Sequence, residues 1–304
     1  MGRDALFRRR IRIEFPAIGK VFLYEDRTDV YLMFRVPFGT SAGSTIGEAT
    51  LVNLSAATIA KLKPGDPMIL AAGYRGTGLG KAPELETVLA GEIVQVDTKW
   101  KGVDKHTVVQ IGDAHETWLS RRVNKDWKPG TRVRKVVRDL CRRSTLPLGE
   151  VQVNAADNFD YEDGFITAAN ETIKSALETV RRDLLHIKGA DYEVHVAQGR
   201  IHFHSADKAY EHSGVLISAE TGMIGQLEPI ARSEPSDPDK EGEEQKFSCS
   251  VMLKYGGRLW ADKMVDIRSR ATGGEVRTFK ILEGTHVASP EKQFQTDLTV
   301  QEYR

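Results

Sequence analysis

Apolar and polar residues alternate along the first part of the chain. Ile11, Ile13 and Phe15 are separated by charged residues, and Leu32 and Phe34 continue the same period. A period of two places successive side chains on opposite faces of a half-buried strand. Strands that follow one another with turns, and without long helices between them, indicate an antiparallel barrel or sandwich. Further strands are predicted at 48–54, 68–74, 87–97 and 106–113.

One short helical segment, at residues 55–62, interrupts these strands. Ser55 begins it, and a serine hydroxyl at this position accepts a hydrogen bond from a free amide at the helix start. Pro64 and Gly65 follow the segment, and both residue types favour a turn. The sequence therefore predicts a capped helical turn between two strands.

The middle of the chain has the period of amphipathic helices instead. The first helix is predicted to begin at Thr131 as its N-cap and to stop before Pro147. Its apolar residues share one face: Val133, Val136, Val137, Leu140 and Cys141. A second helix is predicted from about Asn170 to Ile187, with Gly189 at its end.

Strands return after the second helix. Gln198-Gly199 suits a two-residue hairpin turn between strands at 191–197 and 200–204. Residues 231–245 contain hardly any apolar side chain and predict an exposed, mobile loop. Other strands are predicted at 215–218, 247–253, 264–269, 275–286 and 295–300. We therefore expect a mainly β protein with an α+β insert, divided at 1–128, 129–212 and 213–304.

Composition and charge narrow the function. Lysine plus arginine equals aspartate plus glutamate at 43 each, so the chain lacks the basic excess of a general nucleic-acid binder and has little charge repulsion against self-association. The 2 cysteines, Cys141 and Cys249, lie far apart and do not indicate a disulfide framework. Neither a signal-peptide pattern nor an apolar run long enough to span a membrane occurs, so we expect a protein made in a cytoplasm and not inserted in a membrane.

The sequence offers few candidates for chemistry. Gly73–Gly80 contains G-x-G but lacks the βαβ context of a nucleotide-binding loop. The acidic pairs Glu162-Asp163 and Glu243-Glu244 could act as acids or bases, but nothing indicates that they converge. The basic run at 8–10 and the basic helix at 132–143 favour solvated surfaces. We therefore expect no catalytic residue, cofactor or bound metal, and no enzymatic activity.

Three histidines form the strongest metal candidate. His202 and His204 alternate on one predicted strand, and His195 lies on the paired strand, so the three rings share a face. No carboxylate is forced into position to complete a ligand set, although Asp191 and Glu193 are near in sequence. An exposed or lumen-facing β surface is the favoured interpretation, and a metal-dependent enzyme using His195, His202 and His204 is one alternative function.

The order of these motifs resembles the baseplate hub proteins of contractile phage tails. The resembling stretches are Leu51–Ser55, Leu62–Asp66, Leu70–Tyr74, Leu89–Ile93, Asp97–Trp100, Thr107–Asp113, the helices Val136–Cys141 and Ala176–Leu185, Gly199–Phe203, Thr221–Gly225 and Glu283–His286. This family includes late control protein D and is related to the hub part of type VI secretion spikes. The resemblance covers nearly the whole chain, and the acidic loop at 231–245 departs from it.

This resemblance implies a specific architecture and function. Two tube-like antiparallel β-barrels would flank the small α/β middle region, and three subunits would form a pseudo-sixfold ring that joins the tail tube to a threefold central spike. The implied partners are a homotrimer, a spike protein, a tube or tube-initiator protein and other baseplate proteins. DNA would pass through the lumen without specific binding. The implied location is the baseplate of the virion tail, assembled in the host cytoplasm.

A second alternative is a β-barrel module that binds nucleic acid or polysaccharide. Such a module needs clustered aromatic side chains beside a basic groove. The four tryptophans, Trp100, Trp118, Trp127 and Trp260, are scattered along the chain instead.

Overall fold

The computed structural model describes residues 9–25, 31–39, 45–74, 84–114, 119–207, 209, 211–230, 245–291 and 293–303. Most of the predicted loop at 231–245 and of the glycine-rich loop after Tyr74 lies outside these ranges. Strands dominate the described residues, which confirms the mainly β fold class. No helix in the described ranges is both long and apolar enough to cross a bilayer.

The described residues of the first part of the chain form seven strands and one short helix. Ser55 caps this helix, because its Oγ accepts a hydrogen bond from the amide of Thr58 at 3.1 Å, as predicted. The strand at 20–25 was not predicted, since its four central residues are all apolar and do not alternate. The elements are β1 (Arg9–Phe15), β2 (Lys20–Glu25), β3 (Leu32–Gly39), β4 (Ile46–Val52), α1 (Ala56–Ile59), β5 (Pro67–Tyr74), β6 (Glu84–Lys101) and β7 (Asp104–Gly112).

The middle part contains the two long helices. Its elements are β8 (Arg122–Val123), β9 (Asp126–Trp127), β10 (Thr131–Arg132), α2 (Val133–Arg143), β11 (Leu148–Val151), β12 (Asp160–Tyr161), β13 (Phe165–Ile166), β14 (Glu171–Thr172), α3 (Ile173–Lys188), β15 (Tyr192–Ala197) and β16 (Arg200–Ser205). The two-residue strands pair with one another, and β10 and β14 directly precede α2 and α3. β15 and β16 form the predicted hairpin, and β11 pairs with β16 in parallel.

The apolar face predicted for α2 is buried, but its predicted cap is wrong. All five apolar residues of that face are at most 1% exposed. Arg132, not Thr131, occupies the N-cap position, and no side chain caps the helix. Thr131 Oγ1 instead donates a hydrogen bond to the backbone oxygen of Lys128 at 2.7 Å, because Thr131 belongs to the β10 pairing with β12. Thr172 caps α3, which begins three residues after Asn170.

The last part of the chain returns to strands. They are β17 (Glu211–Ile217), β18 (Met223–Pro229), β19 (Lys246–Met252), β20 (Lys263–Arg268), β21 (Val276–Ala288) and β22 (Phe294–Glu302). Short 3-10 helices lie at Pro16–Ile18, Gly256–Arg258 and Arg270–Thr272. β18 was not predicted as a strand, because Gly225 and the small number of apolar residues leave only a weak alternation.

Among the described residues, strands from both ends of the chain join one sheet of 13 strands. Its main path is β18-β19-β22-β21-β3-β4-β7-β6-β5-β1-β2, and β20 and β17 continue from the other half of β21. The two halves meet where Glu283–Ala288 of β21 pairs antiparallel with Phe34–Gly39 of β3. The β17–β20 pair is parallel, unlike the other pairs of this sheet. Among the described strands, no pairing closes either half into a ring.

Within the described part of the chain, the buried apolar residues fall into two clusters. One cluster combines residues of β1–β7 with residues of β17–β22 and includes Trp260 and Phe279. The other lies between α2, α3 and one face of the β15–β16 hairpin, and includes Leu140, Leu177 and Phe203. The boundaries expected near residues 128 and 212 remain predictions.

Candidate functional site

The β15–β16 hairpin has one apolar and one polar face, and both are buried. Gln198 and Gly199 form its turn with φ of 54° and 72°, which matches the predicted two-residue connection. Val194 and Phe203 on one face pack against the helices. The opposite face carries Glu193, His195, His202 and His204, because register partners share a face: Glu193 pairs with His204, and His195 pairs with His202.

The structure brings the three predicted histidines together, but not on an exposed surface. His195, His202 and His204 are 2%, 3% and 3% exposed. The rings of His195 and His202 stack with centroids 5.1 Å apart, and the ring of His204 lies edge-on to His195 at 5.7 Å. The interpretation as an exposed or lumen-facing surface is therefore wrong for this monomer, because the large sheet covers this face of the hairpin.

Asp262, in the turn before β20, supplies a carboxylate that sequence reasoning missed. It is fully buried and has a φ of 64°. Its Oδ2 lies 3.5 Å from His195 Nε2 and 3.3 Å from His204 Nε2. Its Oδ1 lies 2.9 Å from Lys280 Nζ on β21. No signal in the sequence links Asp262 or Lys280 to the hairpin, because only the tertiary fold brings them there.

Of the two acidic residues considered near the histidines, only Glu193 joins the cluster. Its carboxyl group lies close enough to Asp262 for a hydrogen bond between the two side chains, and burial together with the negative charge of Asp262 raises the pKa of Glu193 to about 7. Asp191 instead forms an ion pair with Arg181, with Oδ1 3.3 Å from Nη1.

Both ring nitrogens of His204 face oxygen atoms, and this arrangement favours the charged form of the ring. Its Nδ1 lies 3.0 Å from the backbone oxygen of Ser205, so this nitrogen carries a hydrogen, and its Nε2 faces Asp262. Burial opposes the charged form, but the Asp262 carboxylate outweighs it and raises the pKa of His204. Burial likewise opposes ionisation of Asp262, while His204 and Lys280 hold its pKa below the ordinary value.

The other two histidines are neutral. Burial lowers the pKa of His195 to about 4, against the attraction of Asp262. Burial also lowers the pKa of His202 to about 3. His202 Nδ1 accepts a hydrogen bond from the amide of Glu150 at 3.1 Å, which fixes that nitrogen as unprotonated. A Cβ on Gly149 would lie 2.2 Å from the His202 ring, so this close approach of β11 requires glycine.

The turn of the same hairpin touches both halves of the large sheet. Asp113, just after β7, accepts a hydrogen bond from the amide of Gly199 at 2.6 Å. Gln198 donates its side-chain amide to the backbone oxygen of Gly257, in the turn before β20. Burial raises the pKa of Asp113 to about 6, against the effect of the backbone hydrogen bonds. The hairpin therefore links the middle region to the sheet at its turn and at its polar face.

A basic groove runs along α2, where the sequence predicts a solvated surface. Its cavity volume is about 690 Å³, and its lining includes Lys128, Arg134 and Arg138. Trp127 beside it is only 6% exposed and packs against Phe165, so it offers no stacking surface for a base. The aromatic platform that the nucleic-acid alternative needs is missing from the described part of this groove.

The remaining sequence candidates do not converge on a site. Glu162 and Asp163 are exposed, and Glu243-Glu244 lies outside the described residues. In the basic run at 8–10, Arg8 is not described, Arg9 donates to the backbone oxygens of Ser289 and Pro290, and Arg10 pairs with Glu25 at 2.9 Å. Both cysteines are buried and free, as expected without a disulfide framework.

Comparisons with known proteins identify solved structures of similar fold. No protein-family model and no curated protein matches the chain. Among solved structures, a tail protein from Neisseria meningitidis MC58 superposes with a TM-score of 0.58 over 97% of both chains, at 11% identity. The 43 kDa tail protein of prophage MuSo2 from Shewanella oneidensis has a TM-score of 0.55 at 12% identity, covering 96% of this chain and 98% of that one.

A third structure extends the likeness to secretion systems. An Escherichia coli component of the type VI secretion system, described as structurally similar to T4 phage tail proteins gp27 and gp5, has a TM-score of 0.54 at 10% identity. The match covers 96% of this chain and 77% of that one. This chain therefore has the fold of phage tail and type VI secretion proteins.

Proposed function

We propose that this protein is a structural component of a phage-type tail, and specifically the hub that joins the tail tube to the central spike. The observation that carries the proposal is the end-to-end fold likeness to two phage tail proteins, which covers at least 96% of this chain and of both of theirs. A match of this extent includes both halves of the sheet and the middle region, in the same order along the chain. The hub resemblance of the sequence motifs agrees with it.

The topology supports a ring of six similar units built from three chains. Each chain contributes two sets of strands, β1–β7 and β17–β22, joined edge to edge through β3 and β21. We propose that each set acts as one tube-like barrel unit, so that a homotrimer presents six units to a sixfold tube and three chains to a threefold spike. Closed rings of this kind form through heterologous contacts between neighbouring subunits.

Exposed apolar side chains and strand edges give such a ring its contact surfaces. The β6–β7 hairpin ends in a turn where Trp100 is 70% exposed and Val103 is 90% exposed. β2 and β18 end the main path of the sheet, and Val21 and Ile224 on them are 60% and 42% exposed. Unpaired strand edges and large exposed apolar groups are common sites of association.

In this role the protein has no substrate to turn over. Its partners would be two further copies of itself, a spike protein, a tube or tube-initiator protein and other baseplate proteins, and DNA would cross the lumen without specific binding. Affinity would come from large subunit interfaces, which in permanent assemblies bury about 2,000 Å² or more. The proposed location is the tail baseplate of the virion.

Electron microscopy of the purified protein tests this proposal directly. At high protein concentration, we expect end-on class averages of rings with three strong and three weaker lobes around a central opening. Uniform particles of single-chain size, with and without an added spike protein, would count against the hub and leave only the shared fold.

A further inference from the structure

Glu193, His195, His204 and Asp262 surround one point between the β15–β16 hairpin and the large sheet, and we propose that they bind a divalent transition-metal ion such as Zn²⁺. One ligand atom from each side chain lies within 4.8 Å of the ligand atoms of the other three. Imidazole nitrogens and carboxylate oxygens are both ordinary ligands of Zn²⁺. This site goes beyond the proposed tail function and does not depend on it.

The distances between ligand atoms fit a tetrahedral ion. Ligands at about 2.0–2.1 Å from a tetrahedral Zn²⁺ lie about 3.3 Å from one another. Asp262 Oδ2 lies 3.3 Å from His204 Nε2 and 3.5 Å from His195 Nε2. The two distances from Asp262 Oδ2 therefore already match tetrahedral edges, and the ligand atoms of all four residues lie within 4.8 Å of one another.

The groups behind two of the ligands hold them in the orientation that a metal requires. His204 Nδ1 faces the backbone oxygen of Ser205 at 3.0 Å, which directs Nε2 toward Asp262. Lys280 engages Oδ1 of Asp262 at 2.9 Å and leaves Oδ2 toward the histidines. Metal-binding histidines almost always donate the other ring N–H to a backbone or carboxylate oxygen in this way, and ligating carboxylates are themselves hydrogen-bonded.

His195 gives an independent indication of a ligand. Its side chain is 2% exposed, and neither ring nitrogen makes a hydrogen bond to any described residue. Buried polar atoms are nearly always hydrogen-bonded, because an unmade bond costs about 1–3 kcal/mol. A metal bond to Nε2, the nitrogen that faces Asp262, accounts for the burial of this ring among carboxylates.

The charges of the cluster also favour a cation. Ionised Glu193 and Asp262 repel each other in a buried site. With His204 neutral, as a metal ligand must be, Lys280 supplies one positive charge against their two negative charges. A divalent ion between the carboxylates converts that repulsion into attraction. Because Asp262 precedes β20 and the other ligands lie on the hairpin, the ion would fasten the middle region to the large sheet.

Metal titration of the full chain tests the site. After removal of metal by chelation, we expect about one Zn²⁺ per chain in calorimetry, and Co²⁺ to give the visible absorption of a four-coordinate site. Zn²⁺ at about a hundredfold over Kd should raise Tm by about 5 °C or more, and chelator should reverse this. Glu193→Gln, which keeps the side-chain shape, should weaken binding by at least about tenfold, and Asp262→Asn should weaken it further.

Two histidine variants serve as matched controls. His202→Asn changes a ring on the same buried face that lies outside the ligand set, and its amide oxygen can still accept from Glu150. His212→Ala removes a half-exposed histidine paired with Asp266. His212→Ala should keep wild-type affinity, and His202→Asn, which removes the ring stacked on His195, should weaken binding less than Glu193→Gln does. The proposal is overturned if wild type binds neither Zn²⁺ nor Co²⁺ stoichiometrically, or if Glu193→Gln, folded by circular dichroism, binds as tightly as wild type.

Discussion

The carboxyl group of Asp113 joins two parts of this molecule, and its burial makes the free energy of unfolding depend on pH. It lies at the end of β7 and accepts the amide of Gly199 from the hairpin turn of the middle region. The Asp113 side chain is fully buried, so solvent does not stabilise the charge of its carboxylate. The hydrogen bond from Gly199 and the burial therefore act in opposite directions on the ionised form.

The pH dependence of stability should report this conflict. Burial raises the pKa of Asp113 from 3.8 to about 6, so the folded state holds more protons than the unfolded state between these values. The free energy of unfolding should therefore fall as the pH rises through this window, by up to about 3 kcal/mol from this residue. Asp113→Asn keeps the acceptor oxygen and should remove that slope in urea unfolding curves.

The control for this experiment is the exposed residue Asp126. Asp126→Asn makes the same substitution at an exposed carboxyl group away from the hairpin turn, and its profile serves as the reference for the substitution itself. Parallel stability profiles for wild type and Asp113→Asn from about pH 4 to pH 7 would show that Asp113 does not titrate in the way its burial requires.

Two glycines allow a test of packing where the 256–258 turn meets β6. Gly256 has a φ of 48°, and a Cβ there would lie 2.7 Å from the backbone oxygen of Thr87. Gly273 has a similar φ of 70° but open space around it. Gly256→Ala should therefore lower the free energy of unfolding by about 1–3 kcal/mol more than Gly273→Ala. Equal losses in denaturant unfolding would mean that backbone strain alone matters at both positions.

Residue chemistry could be predicted only where it is local. Ser55 was identified as a cap from its place before a helical turn, and its hydrogen bond to Thr58 is present. The shared face of the three histidines followed from the period of the strand and the hairpin register. Asp262 and Lys280 could not be predicted, because they reach the histidines only through the packing of a distant turn and strand.

At the scale of elements, periodicity predicted the long strands and both helices. It failed at β2 and β18, where alternation is absent or weak, and at the two-residue strands, which are too short to show a period. The N-terminus of α2 was misassigned because backbone pairing of Thr131 with Tyr161 replaced side-chain capping. These failures all lie where tertiary pairing, rather than local sequence, determines the structure.

The element α1 carries a prediction about assembly. Lys61 and Lys63 follow this short helix and are exposed, so they are free to face a neighbouring subunit or tube ring. The double variant Lys61→Glu, Lys63→Glu should change the free energy of unfolding by no more than about 0.5 kcal/mol. It should nevertheless weaken self-assembly, measured by light scattering over a concentration series.

Lys188→Glu provides the matched control for this surface. Lys188 is also exposed but lies at the end of α3 in the middle region. We expect this variant to assemble as wild type does. Unchanged assembly of the Lys61 and Lys63 double variant would exclude α1 from the subunit contacts.

At the scale of the whole molecule, the main finding is that both ends of the chain build one sheet. The sequence predicted two β regions around a helical insert, but not the pairing of β3 with β21 that makes them continuous. Such a pairing joins strands far apart in the chain and leaves no local pattern. It connects the two strand sets through backbone hydrogen bonds, as the proposed hub would require.

The native mass of the protein is the most direct test of the hub proposal. Native mass spectrometry and light scattering at high protein concentration should give three times the chain mass of 33.8 kDa, alone or with a spike protein added. A trimer agrees with three chains that present six strand sets. A mass that stays at 33.8 kDa under both conditions would contradict the hub.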